Sequence, residues 1–140
     1  MANLLIHEVL EKVEKAKTKA EKVKVLKEND TWALKDIIRG SMDSRVHWLI
    51  PAGRPPFTPN KPESAPTNLL RENKKFAYFV KGPPQSRIPA YKREQIFISL
   101  IEGIHPKDAE VIIDMVAKKT PKGLTRPIVK EAFPGLLRDD

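Results

Sequence analysis

With 140 residues, 40% of them hydrophobic, the chain has material for one ordinary core and falls in the size range of a single domain. It has no cysteine, which excludes disulfides, thiol catalysis and Cys-based zinc sites, and no apolar run approaches the ~18–20 residues of a membrane span. The net charge is +8, and the opening MANLLIHEVLEKVEKAK lacks a signal peptide's basic region and cleavage site; the expectation is a soluble cytoplasmic protein with no membrane partner.

The first stretch, NLLIHEVLEKVEKA, sets Leu5, Val9, Leu10 and Val13 at helical spacing, with Glu and Lys on the other face. A second helix follows at once, since Thr18 and Glu21 form a capping box and Ala20, Val23 and Leu26 continue the apolar stripe. KENDTWALKDIIRG reads as a turn, a cap at Asp30 or Thr31, and a third helix burying Leu34, Ile37 and Ile38 together with Trp32. Residues 51–66 then hold six of the thirteen prolines. Each fixes its own φ and disfavours helix in the residue before it, so this arm is extended or polyproline-like.

Helix resumes in TNLLRENKKFAYFV, capped by Thr67 or Asn68, with Leu70, Phe76, Phe79 and Val80 inward. A rigid loop, KGPPQSRIP, precedes AYKREQIFISLIEGI and PKDAEVIIDMVAKK, the latter with Pro106 in a favoured first-turn position. TRPIVKEAF is short and stops before Pro134-Gly135. Nothing alternates with period two long enough to require a sheet. The expected fold is all-α, one domain over 1–140: a compact bundle of about six helices carrying the Pro-rich arm.

Charge is unevenly divided. Residues 35–93 carry +8 and residues 118–138 carry +5, whereas 94–117 carry −4. Two basic blocks flanking an acidic helix pair point to a basic face and a polyanionic partner.

Catalytic constellations are missing from the sequence. His7, His47 and His105 lie in unrelated segments, with no H-x-x-x-H or H-E-x-x-H spacing for a metal. His105, beside Pro106, reads as a cap or an exposed residue. No phosphate-binding glycine loop occurs, and Asp108 and Glu110 point in different directions on their helix. The expectation is a protein that is no enzyme and uses no metal or cofactor.

The closing stretch, KKTPKGLTRPIVKEAFPGLL, surrounds one short helix start with Lys118, Lys119, Lys122, Arg126 and Lys130, opposed only by Glu131. Thr125 reads as its N-cap. Free N–H groups and the positive dipole end at a helix start suit a phosphate, Gly123 allows a tight turn and a close backbone approach, and the basic side chains add charge-assisted contacts. An ordinary helical hairpin with a lysine-rich surface explains this stretch equally well.

The order of features resembles the N-terminal DNA-binding domain of T4-type phage ATP-dependent DNA ligases. The likeness rests on VLKENDTWALKDIIR, on FISLIEGI followed by AEVIIDMVAKK, and on GLTRPIVKEAFPGLL, and it covers most of residues 4–50 and 94–137. The Pro-rich arm has no counterpart there, and the K-x-D-G nucleophile motif of ligases occurs nowhere. The resemblance implies a freestanding, non-catalytic grip on the backbone of double-stranded or nicked DNA, in the host cytoplasm if phage-encoded. It admits a replication or repair protein as a further partner.

The candidate contacts are Lys118, Lys119, Lys122, Gly123, Thr125, Arg126 and Lys130, with a second set at Arg39, Arg45 and Arg54. Six phosphate contacts would give a log–log salt slope of about −5. Trp48, Phe57 and Tyr78 have the chemistry to stack on unpaired bases, but core or surface packing is the better reading of each; Arg87, Lys92 and Arg93 read as solubility charges. The competing reading is a protein–protein adaptor, in a virion or on a host complex, using the Pro-rich arm and the basic face. An RNA binder is weaker, because no RNA-module signature appears.

Overall fold

Short polar side chains decide where several of the helices begin. Thr18, Thr31, Asn68 and Thr125 each stand in extended backbone and accept a hydrogen bond from an amide three residues on, which satisfies a donor that the first turn leaves orphaned. His105 does the same through Nδ1, which accepts from Lys107 N–H at 3.0 Å, with Pro106 in the first turn behind it. The computed structural model describes residues 4–51, 53, 55–61, 65 and 67–137.

Among these residues the helices are α1 (Ile6–Lys15), α2 (Lys19–Glu28), α3 (Trp32–Met42), α4 (Leu69–Glu72), α5 (Ala90–Gly103), α6 (Pro106–Val116) and α7 (Arg126–Ala132), with 3-10 segments at Asn73–Tyr78 and Pro84–Ser86. The fold is all-α. Helix α1 packs on α2 and α6, α2 on α7, and α6 on both α3 and α5. Their inward faces meet in one hydrophobic cluster that includes Leu26, Leu34, Ile38, Leu100, Ile101 and Ile112, all essentially inaccessible to solvent. Each such side chain contributes about 1.5–3 kcal/mol relative to leaving it exposed.

The bundle departs from the expected helices at three points. Residues 67–80 do not form one helix: four α-helical residues give way to a 3-10 segment. The tighter winding puts residues three apart on one side, and here it turns both Phe76 and Phe79 into the core. Leu49 N–H then donates to Phe79 O at 2.6 Å and Lys81 N–H to His47 O at 2.9 Å, an isolated antiparallel bridge that draws the chain out of the helix. Trp32 is 69% exposed instead of buried. It stands at the first position of α3, where Lys35 Nζ lies 4.3 Å from its ring centroid. Ala20, expected to continue the apolar stripe of α2, is exposed as well.

Of the Pro-rich arm, the described residues 55–60 belong to no helix or strand. Thr58 N–H donates to Glu102 Oε2 at 2.8 Å, and Asn60 Nδ2 donates to Glu102 O at 3.1 Å, which holds them against the end of α5. Phe57 packs against the core at the same place.

Candidate nucleic-acid interface

Helix α6 ends in a Schellman turn. Lys119 N–H donates to Asp114 O at 3.0 Å and Lys118 N–H to Met115 O at 2.9 Å, which places Lys118 at φ 60°. Glycine usually takes this left-handed position, because a β-carbon there costs about 1–2 kcal/mol. The lysine side chain offsets that cost. Its Nζ donates to Gly40 O at 2.9 Å and to Asp43 O at 2.7 Å, both at the C-terminal end of α3. Burial pushes the amine below its ordinary pKa of 10.5, against the opposing pull of Asp43.

Arg126 reaches the same helix end from α7, where its Nη2 donates to Met42 O at 2.6 Å. Trp48 adds a third donor, with Nε1 2.9 Å from Gly40 O. The negative pole of α3 is therefore covered by two cations and an indole, a favourable pairing with the helix dipole. Two residues expected to face a docked phosphate, Lys118 and Arg126, thus spend their charged ends on the protein's own carbonyls.

Gly123 has φ +87°, and a β-carbon on it would come 2.8 Å from Glu14 Cα. Its carbonyl accepts from Lys22 Nζ at 3.0 Å. The close backbone approach expected of this glycine is made by the chain's own α1. Thr125 caps α7, its Oγ1 accepting from Ile128 N–H at 3.5 Å.

The remaining expected contacts point outward. Lys119, Lys122, Lys130, Arg39 and Arg45 are exposed. Among the described residues the ammonium groups of Lys119 and Lys122 have no hydrogen-bonding or ion-pair partner. Arg39 pairs with Asp36 at 2.9 Å, and Arg45 lies 3.6 Å from Asp43. Arg54 lies outside the described residues. Glu131, the acid within the terminal basic block, is drawn to Lys19 at 3.4 Å.

The internal bonds of Lys118 and Arg126 have a consequence for the surface. They hold the lysine-bearing loop 117–125 against the turn 42–45, so that two segments some 75 residues apart in sequence become neighbours. A shallow cleft of about 460 Å³ runs between the two segments, and Ser44, Thr120 and Thr125 present exposed hydroxyls along it. Ammonium, guanidinium and hydroxyl donors together suit phosphate oxygens. Sequence reasoning found the cations and missed Ser44 and Thr120, whose placement depends on a contact between distant segments.

Elsewhere the structure corrects several expectations. Arg93 is no plain solubility charge: its guanidinium donates to the carbonyls of Tyr78, Ser86 and Ile88 at 2.9–3.2 Å and pins the loop before α5. Trp48, Phe57 and Tyr78, by contrast, pack partly against the core as the sequence led one to expect. His7 and His105, from unrelated segments, come together with ring centroids 4.2 Å apart. Beneath them Asp108, fully buried, accepts from His7 N–H at 2.8 Å and lies 2.8 Å from His7 Nδ1. Among the described residues no three His, Asp or Glu side chains gather as metal ligands, and no helix is long and apolar enough to cross a membrane.

No curated protein matches this chain. A family profile does, over residues 9–122, a stretch that runs from α1 into the loop preceding α7. The chain belongs to that family, a family of unknown function designated DUF6433.

Proposed function

We propose that this protein binds duplex DNA without catalysis and without reading base sequence, gripping the phosphate backbone with the surface formed by the turn 42–45 and the loop 117–125. The observation that carries this reading is the junction at the end of α3. Lys118 and Arg126 bond to that helix end, and by doing so they set the loop that carries the exposed Lys119 and Lys122 against the turn that carries Ser44 and Arg45, with Thr120 and Thr125 along the cleft between them. Half or more of the hydrogen bonds in protein–DNA complexes go to the phosphate–sugar backbone, from donors of these types.

With Lys118 and Arg126 engaged internally, Arg39, Arg45, Lys119 and Lys122 are the cations best placed to neutralise phosphates. Four such contacts correspond to a log–log salt slope of about −3.6, shallower than six would give. The resemblance to the DNA-binding domain of phage ligases supports the same reading and adds a nick as a preferred site, with replication or repair of phage DNA as the setting. The adaptor alternative draws less support. Its arm would need to be free for a partner, and the described part is bound to Glu102.

Fluorescence anisotropy against intact duplex, nicked duplex and single-stranded DNA tests the reading. Tight duplex binding that weakens steeply with salt is expected, strongest for the nicked form. No duplex binding at low salt would refute it.

A further inference from the structure

A second, larger cleft of about 580 Å³ opens between α3, the turn that follows it and the 3-10 segment Asn73–Tyr78. Four cations line it: Arg39, Arg45, Lys74 and Lys81. Two carboxylates also line it, and both are already taken. Asp36 accepts from Arg39 Nη2 and Asn73 Nδ2, each at 2.9 Å, while Asp43, 2% exposed, accepts from Arg45 N–H at 2.9 Å. Lys74 and Lys81 are exposed, and among the described residues their ammonium groups have no partner. The rim therefore presents unneutralised positive charge to whatever enters.

Two aromatic side chains, Trp48 and Phe76, also line the cleft, and Trp48 is fixed. The indole of Trp48 is half-buried, tied through Nε1 to Gly40 O and set edge-on to Phe76 at 6.2 Å. Gly40 permits this, since a β-carbon there would lie 2.6 Å from Trp48 Cζ2. A ring already locked in place loses little conformational freedom when a second ring stacks on it. A fixed aromatic ring with cations lining the same cleft is the arrangement by which proteins hold unpaired nucleotides, the base on the ring and the phosphates on the lysines. An acidic peptide would use the lysines and leave the indole without a partner.

We propose that this cleft holds an unpaired nucleotide, with its base on Trp48 and its phosphates at Lys74 and Lys81. The proposal rests on the duplex-binding reading and deepens it: the cleft shares Arg39 and Arg45 with the proposed duplex surface, so a nucleotide freed at a nick or an end lies within reach. A single strand and a free mononucleotide offer the same chemistry, and the test separates them.

The protein has two tryptophans, and Trp32→Phe at the exposed start of α3 leaves Trp48 as the sole indole reporter. Its fluorescence is titrated with a short oligothymidylate, with thymidine monophosphate and with polyglutamate, while duplex binding is followed separately by anisotropy on a blunt duplex. Oligothymidylate should quench Trp48. Quenching by the monophosphate as well would identify a mononucleotide site, and quenching by the oligomer alone a strand site. In Lys74→Ser/Lys81→Ser, whose altered residues are exposed, oligomer affinity should fall about tenfold and its salt slope flatten by about 1.4.

Three results would overturn the proposal: no quenching by either nucleotide, equal quenching by polyglutamate, or unchanged affinity in the double variant. If blunt duplex still binds in those cases, the duplex reading survives alone. Quenching by oligothymidylate without duplex binding would leave the cleft standing and remove the duplex surface.

Discussion

Arg126 Nη2 donates at 2.6 Å to the carbonyl of Met42, which joins the first residue of α7 to the last residue of α3. Lys118 bonds to the same helix end from the close of α6. A charged donor lost from a partly buried carbonyl costs about 1.5–3 kcal/mol. Arg126→Ala should therefore lower unfolding stability by about 2 kcal/mol, and Lys118→Ala by a similar amount, since alanine keeps the left-handed backbone and loses the two bonds that offset it. The two share one helix end, so their losses should not add. Urea denaturation of both single variants and the double variant measures this; two neutral single variants would contradict the assignment.

Gly123 meets two constraints at once, a positive φ and the backbone of Glu14 at 2.8 Å from its missing β-carbon. Alanine there must strain its own backbone and displace α1. The expected loss is about 3 kcal/mol, above the usual cost of alanine at a left-handed position. A thermal midpoint within a degree or two of wild type would show that the loop relaxes freely.

Lys118 also gives stability a pH dependence of known sign. Burial holds its amine below 10.5 in the folded protein, so between the folded value and 10.5 the unfolded chain binds more protons. Stability from this site therefore rises with pH across that window and is constant below it. The unfolding free energy of wild type relative to Lys118→Met should shift in favour of wild type as pH climbs toward 10.5. A flat or falling difference would contradict the burial of the amine.

Asp108 holds the start of α1 on α6 through its two contacts to His7. Asp108→Leu should cost about 3 kcal/mol, since it leaves the buried His7 amide and ring nitrogen without their acceptor. Asp108→Asn, which keeps a carbonyl oxygen in place, should lose less. Equal losses in chemical denaturation would mean that volume, not hydrogen bonding, fixes this contact.

The helices were legible in the sequence where signals are local. The caps at Thr18, Thr31 and Thr125, the proline at Pro106 and the apolar spacing of Leu34, Ile37 and Ile38 act within a turn or two of themselves. What failed to show depends on distant segments. Residues 73–78 wind as a 3-10 segment because Phe76 and Phe79 must both reach a core built by other helices. Trp32 is exposed because the first position of α3 faces away from that core. At the candidate interface the lysines and arginines were visible as a charge block. Which of them turn inward was not, because Lys118 and Arg126 are claimed by carbonyls of α3 about 75–85 residues earlier in the chain.

Charge reversal at the exposed lysines separates the cations left free for DNA from those bonded to the end of α3. Duplex DNA is titrated by anisotropy against wild type and Lys119→Glu/Lys122→Glu, from low to about 200 mM salt. The two changed side chains are exposed and have no partner among the described residues, so the variant should unfold at the same urea concentration as wild type. It should bind duplex at least tenfold more weakly, with a salt slope shallower by about 1.8. Duplex affinity and slope equal to wild type would contradict the account.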